Sequence, residues 1–115
     1  MHFDALHNLL AQIAGRKRVT LFPPSESFKL YPYAVGHARD NYSMVADPEH
    51  VDLSRFPAFA HACGFEGVLS PGDVLFLPRY IWHHVSQVPP FTSPSLVSLT
   101  SPPFPRLRHT DGRRD

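Results

Sequence analysis

The sequence predicts an all-β domain with one short helix. Short runs that favour strands are separated by proline and glycine turns, and the predicted strands cover residues 16–22, 66–69, 74–77 and 80–88. The turn Ser70-Pro71-Gly72-Asp73 has a proline where it presets φ. A turn, an apolar strand, a proline and an aromatic-rich strand, in that order, are typical of antiparallel β architecture.

The segments on either side of the strand predicted at residues 16–22 are a candidate partner strand and a long loop. Residues 8–14 are apolar and stop at Gly15, which predicts a hairpin with residues 16–22 that turns at Gly15-Arg16. A helix over residues 5–14 is the alternative, because Leu, Ala and Gln favour helix. Residues 23–50 are predicted to be a loop whose aromatic side chains pack on the domain surface.

A short helix is predicted over residues 52–63. Pro57 would lie in its first turns, and Gly64 would end it. The domain is predicted to span residues 1–100, with one more possible strand at 95–100. Residues 101–115 are predicted to form a disordered tail, because they are rich in proline and polar residues.

Composition excludes several classes of protein. The 115 residues form one small domain with a formal net charge of +1, and no basic stripe indicates nucleic-acid binding. No apolar run has the length of a membrane span. The single cysteine, Cys63, cannot form an intramolecular disulfide, which predicts a reducing intracellular compartment, cytoplasmic or nuclear. Cys63 itself is expected to be a buried, small apolar residue.

An H-x-D pair and a distant histidine are the candidate metal ligands. His2 and Asp4 are two residues apart, so on a strand they point to the same face while Phe3 points away. With His83 they would form the 2-His-1-carboxylate set of ferrous oxygenases, which leaves positions open for a co-substrate and O2. The chain has eight histidines and ten carboxylates, so a chance match or an unordered His2 is the alternative.

Two longer segments carry a resemblance to a known family. P-G-D-V-L-F-L-P-R-Y-I-W-H-H-V, residues 71–85, resembles the distal-histidine segment of JmjC-type, cupin-like 2-oxoglutarate oxygenases. Residues 2–24 resemble the proximal-ligand segment of the same family. The stretches L-Y-P-Y and R-F-P-A-F look most like the asparaginyl hydroxylase that acts on hypoxia-inducible factor. The resemblance implies a partial double-stranded β-helix (a cupin or jelly-roll fold), and a dioxygenase that hydroxylates a protein or peptide substrate with Fe(II) and 2-oxoglutarate.

The resemblance also assigns residues. His2, Asp4 and His83 would bind iron, and His84 would point to the other face of its strand. Lys17 matches the lysine that pairs with the distal carboxylate of 2-oxoglutarate, and Asn8 matches a polar residue near its oxoacid end. The alternatives are a solvated charge at Lys17 and a turn residue at Asn8.

The chain also departs from this family. Family members have further strands before the H-x-D pair, so we expect that N-terminal strands are missing and that the chain is a fragment. A catalytically inactive fragment or binding module is therefore the alternative function. Lysine demethylation is disfavoured, because the sequence shows no chromatin-reading module and no basic surface. A structural zinc site is disfavoured because zinc prefers four closed ligands, commonly with cysteine. The oligomeric state is left open.

Overall fold

A computed structural model describes residues 1–89 of the chain. Within this part there are five strands, namely β1 (Asn8–Ala11), β2 (Arg16–Phe22), β3 (Phe65–Leu69), β4 (Val74–Leu77) and β5 (Trp82–Val88). Two short 3₁₀ helices, Pro24–Lys29 and Pro57–His61, lie between β2 and β3. Among the described residues no helix is long and apolar enough to cross a membrane. The prediction of an all-β domain is confirmed.

The strands form two antiparallel sheets. One has the order β3-β2-β5 and the other pairs β1 with β4. The connections from β1 to β2, from β3 to β4 and from β4 to β5 therefore each pass from one sheet to the other. A chain that alternates between two antiparallel sheets in this way has the winding of a partial jelly roll, as predicted.

The predicted hairpin between residues 8–14 and 16–22 is wrong, and so is the alternative helix. Residues Asn8–Ala11 form a strand, but it pairs with β4 rather than with β2. The chain turns a corner between the sheets, where Gly15 has φ +69° and the Gln12 amide donates to the carbonyl oxygens of Ala14 (2.6 Å) and Gly15 (3.3 Å). A positive φ is open to glycine without steric cost, which makes this corner possible.

The predicted helix at residues 52–63 is much shorter in the structure, where only Pro57–His61 are helical. Phe56 has φ −125° and ψ 58°, because the ring of a following proline disfavours helical geometry in the residue before it. Gly64 is not a left-handed helix cap, because its φ is not positive. Its role is steric and is described below.

The core lies between one face of the β2/β5 pair and the long connection before β3. Its buried members come from distant parts of the chain and are Met1, Phe22, Leu30, Val45, Phe59, Ala62 and Trp82. Phe3, Tyr31, Val51 and Phe56 pack against them. The connection at residues 23–50, predicted as a packed loop, thus supplies part of the core.

Two further expectations have different outcomes. Cys63 is exposed, so the prediction that it is buried is wrong. It follows a 3₁₀ helix at the surface, where its backbone N–H donates to Glu26 Oε2 at 2.9 Å. The predicted strand at 95–100, the disordered tail at 101–115 and the end of the predicted domain at residue 100 lie outside the described residues and stay predictions.

Gly64 provides a test of this packing. A Cβ added there would overlap the carbonyl oxygen of Leu21 and would lie 2.6 and 2.7 Å from Cδ1 and Cε1 of Phe22. We therefore expect Gly64→Ala to lower the free energy of unfolding by about 1–3 kcal/mol, the usual cost of overpacking. Urea unfolding of the whole chain measures this change.

Gly67 is the matched control, because an added Cβ there meets no atom within 4 Å. Gly67→Ala should leave stability unchanged or raise it by up to about 1 kcal/mol, since alanine loses less backbone entropy than glycine on folding. Equal unfolding free energies for the two variants would show that Gly64 is not a close-approach position.

Candidate metal centre

A pair of backbone hydrogen bonds brings the two candidate histidine ligands together. The His2 N–H donates to the His83 carbonyl oxygen at 3.1 Å, and the His83 N–H donates to the His2 carbonyl oxygen at 2.8 Å. This exchange defines an antiparallel hydrogen-bonded pair, whose side chains project to the same face. The two imidazole rings accordingly lie 4.4 Å apart between centroids.

Asp4 completes a compact group of three donors. His2 Nε2 lies 3.8 Å from Asp4 Oδ1, and His83 Nε2 lies 3.7 Å from Asp4 Oδ2. One donor atom from each residue lies within 4.8 Å of the others. Neighbouring ligands held about 2.0–2.2 Å from one ion lie roughly 3 Å apart, so the group is close to the size that a single ion requires. Two imidazoles and one carboxylate are the donor set of non-haem ferrous centres.

A hydrogen bond to His83 and the burial of His2 favour imidazole forms that can bind a metal. His83 Nδ1 lies 3.1 Å from the carbonyl oxygen of Ile81, which can only accept, so we assign the proton to Nδ1. That assignment leaves the lone pair on Nε2, the atom that faces Asp4. Burial lowers the pKa of His2, and repulsion from His83 lowers it further, so His2 favours the neutral form that can ligate a metal.

Asp4 is held through both its backbone and its side chain. The Tyr80 N–H donates to the Asp4 carbonyl oxygen at 2.7 Å. The Asn8 side-chain amide donates to Asp4 Oδ2 at 2.9 Å. Asn8, which the resemblance assigns to the co-substrate, therefore lies beside the Asp4 carboxylate, at the exposed start of β1.

Phe3 lies between the two proximal donors and points away from them, as the strand alternation predicts. Its ring contacts Trp82 edge-on, with centroids 4.8 Å apart, and Tyr80 at 5.9 Å. Its backbone is also fixed, because its N–H donates to the Asn41 carbonyl oxygen and its own oxygen accepts from the Asn41 amide, both at 3.0 Å. These contacts hold the short H-x-D segment in an extended conformation.

Lys17 is on the same face of the sheet as His83. Leu21 is paired with His83, and Lys17 lies four residues earlier on β2, opposite Gln87. An even number of residues keeps the same face, and four residues of strand span about 13 Å. Lys17 therefore lies on the face of the candidate ligands, about 13 Å along β2 from the residue opposite His83.

His84 points to the other side of β5. It is paired with the buried Thr20, and its Nε2 lies 3.7 Å from Asp47 Oδ1. It is not a member of the group formed by the three candidate ligands. Of the two consecutive histidines, the one that directly follows Trp82 therefore faces Asp4.

Sequence reasoning missed two aromatic residues at this centre, Tyr42 and Tyr80. Tyr42 forms a backbone bridge with His2, and its ring stacks on the imidazole with centroids 5.1 Å apart and planes at 25°. No local pattern marked it, because the bridge joins residues forty positions apart in the chain. Tyr80 was predicted to be a strand residue, but β5 begins at Trp82 and Tyr80 has φ +67°.

The winding of the strands and the donor set together define a cupin-like domain with a candidate metal centre. Comparison with known families agrees, because a family model described as "Cupin-like domain" matches residues 1–99. The chain belongs to this cupin-like domain family.

The curated relatives include proteins with JmjC domains. The chain is 42% identical over 88 residues (76% of this chain, 19% of the relative) to "JmjC domain-containing protein D" of Dictyostelium discoideum. It is 41% identical over 101 residues (87% and 20%) to "HSPB1-associated protein 1" of Homo sapiens. It is 42% identical over 85 residues (74% and 20%) to "Lysine-specific demethylase 8" of Danio rerio. The chain thus spans about a fifth of the length of these relatives.

Proposed function

We propose that this chain forms the metal-binding and co-substrate-binding part of an Fe(II)- and 2-oxoglutarate-dependent dioxygenase that hydroxylates a protein side chain. The observation that carries the proposal is the convergence of His2, Asp4 and His83, with both Nε2 atoms turned toward one carboxylate. Bound iron and 2-oxoglutarate would supply the activation of O2, with 2-oxoglutarate converted to succinate and CO2 while one oxygen atom enters a C–H bond of the substrate.

The residues of the chain have separate tasks in this proposal. The two imidazoles and the Asp4 carboxylate would hold the ion, and a set of only three protein ligands would leave room for the co-substrate and O2. Lys17 pairs with the distal carboxylate of 2-oxoglutarate. Asn8 orients the Asp4 carboxylate, to which its side-chain amide donates. By the resemblance it would also contact the oxoacid end of the co-substrate.

A protein side chain is the proposed substrate, by likeness to the asparaginyl hydroxylase that acts on hypoxia-inducible factor. The two segments that carry the likeness pack together, since Tyr31 of L-Y-P-Y contacts Phe56 of R-F-P-A-F with centroids 5.0 Å apart. The Tyr31 hydroxyl also accepts from the Ala58 N–H at 2.9 Å. Lysine demethylation is the second candidate reaction, because one relative bears that name.

The charges of the described residues give no support to a nucleic-acid substrate. The triplet Arg16-Lys17-Arg18 is the densest basic stretch of the described residues, and Arg18 in it forms ion pairs with Glu49 (3.3 Å) and Glu66 (2.9 Å). Paired charges attract phosphates weakly. The proposed intracellular location, cytoplasmic or nuclear, rests on the single cysteine.

The first prediction concerns the metal. Asp4→Ala should weaken Mn(II) or Fe(II) binding by more than about 100-fold, because it removes the only anionic ligand of the set, and losing a partner outside the ligand shell already costs roughly 10–100-fold. His2→Ala and His83→Ala should have effects of similar size. Anaerobic titration followed by electron paramagnetic resonance or calorimetry measures the affinity.

His84→Ala is the matched control, because His84 is adjacent to His83 in sequence but faces away from the three candidate ligands. Its metal affinity should stay within a few-fold of the parent chain. Equal losses for the His83 and His84 variants would refute the ligand assignment. A parent chain that binds neither metal would instead favour the inactive fragment or binding module.

The second prediction concerns the co-substrate. Lys17→Ala should weaken 2-oxoglutarate binding by about 2–3 kcal/mol, the scale of a charge-assisted contact to a carboxylate. Calorimetry with Mn(II) or Zn(II) as the inert metal measures this loss. Metal affinity without 2-oxoglutarate should not change, since Lys17 is not a ligand.

Arg16→Ala is the control for the second prediction. Arg16 is the preceding residue of β2, so its side chain alternates to the other face of the sheet. Its removal should change 2-oxoglutarate affinity little, apart from weak long-range charge effects. Equal losses for the Arg16 and Lys17 variants would indicate a general electrostatic effect rather than a specific ion pair.

A further inference from the structure

The tight turn before β5 contains a tyrosine, Tyr80, in a left-handed backbone conformation that residues other than glycine rarely adopt. The Ile81 N–H donates to the Pro78 carbonyl oxygen at 3.2 Å, which closes a four-residue turn. Tyr80, the third residue of this turn, has φ +67°. A type II turn requires a positive φ at that position and favours glycine there, because a Cβ crowds the backbone. Among the described residues the only other non-glycine with a positive φ is Tyr31.

The backbone of this turn contacts two of the three candidate ligands. The Tyr80 N–H donates to the Asp4 carbonyl oxygen at 2.7 Å. The Ile81 carbonyl oxygen accepts from His83 Nδ1 at 3.1 Å. The left-handed dihedral angles of Tyr80 lie between the Tyr80 N–H and the Ile81 carbonyl group in the chain. They therefore set the relative orientation of these two groups.

The Tyr80 side chain contacts the segment that carries the other ligands. Its ring meets Phe3 edge-on, with centroids 5.9 Å apart and planes at 67°. Phe3 is the residue between His2 and Asp4, and its other aromatic contact is Trp82. Tyr80 is 45% exposed, so burial alone is a weak reason to keep a large side chain in a strained conformation.

We propose that Tyr80 is a positioning residue for the metal centre. Its ring fixes Phe3, its N–H fixes Asp4, and the turn that it bends directs the Ile81 carbonyl oxygen to His83. The inference rests on the proposed function of the same site. It adds a role to a residue that is not one of the three candidate ligands.

The test separates metal affinity from stability. Tyr80→Gly relieves the backbone strain and removes the ring, so we expect an unchanged or higher melting temperature together with Mn(II) binding weakened by about 10–100-fold, the scale for partners outside the ligand shell. Tyr80→Asn, which also tolerates a positive φ, should behave in the same way. Tyr80→Phe keeps the ring and should bind Mn(II) as the parent chain does.

The spectrum of bound Co(II) provides a second measurement. Its d–d bands should shift in the Gly and Asn variants and stay in place in the Phe variant, because they report ligand geometry. Unchanged Mn(II) affinity in the Gly and Asn variants would overturn the positioning role while leaving the proposed function intact. Affinity losses that occur only with a matching fall in melting temperature would also overturn it. A parent chain that does not bind Mn(II) would refute the proposed function itself.

Discussion

The backbone pair between His2 and His83 is the contact on which the candidate site depends. It joins the first residues of the described chain to its last strand through two hydrogen bonds of 3.1 and 2.8 Å. Side chains opposite each other in such a pair necessarily share a face, so the pair determines that both imidazoles meet. The position of Asp4 then follows from the period of two along an extended chain. A slip of one residue in this pairing would turn His83 away and bring His84 to the same place.

The same alternation allows β5 to serve the core and the site at once. Trp82 is 1% exposed and packs in the core, and its indole N–H donates to Ser27 Oγ at 2.8 Å. His83, the next residue, faces the opposite side and meets Asp4. The H-x-D segment mirrors this division, since Phe3 packs on Trp82 while its two neighbours point to the site. Packing of the two aromatic rings therefore fixes the register that the ligands need.

The long connection before β3 contributes both to the core and to the surroundings of the candidate ligands. Leu30 and Val45 are buried in the core, and the Ser43 hydroxyl, which donates to the Leu30 carbonyl oxygen at 2.5 Å, accepts from the Val45 N–H at 2.8 Å. Tyr42, from the same stretch, stacks on His2. An irregular segment can be held so firmly because its backbone groups pair with neighbouring chain segments rather than with a regular helix or sheet.

Local patterns in the sequence predicted the positions of most strands and marked His2 and Asp4 as candidate ligands, and the resemblance added the choice of His83. The bounds of β2 and β4 follow from β-favouring runs that end at prolines or turns. The i, i+2 spacing places His2 and Asp4 on one face in any extended conformation. The histidine that follows Trp82 was also predicted to face the site. The strand bounds and the His2–Asp4 spacing depend on neighbouring residues alone, so the local sequence is enough to predict them.

Tertiary structure decided which strands pair and what surrounds the ligands. The sequence predicts a hairpin where the structure has the corner at Gln12–Gly15, because a local pattern cannot show whether a turn stays in one sheet or crosses to another. Tyr42 and Tyr80 reach the ligands through contacts across forty and more than seventy residues, and no spacing rule predicts such pairs. The left-handed conformation of Tyr80 contradicts the preference of its residue type, so only the surrounding contacts can impose it. The sequence thus marked the candidate donors, and the tertiary structure decided how they are oriented.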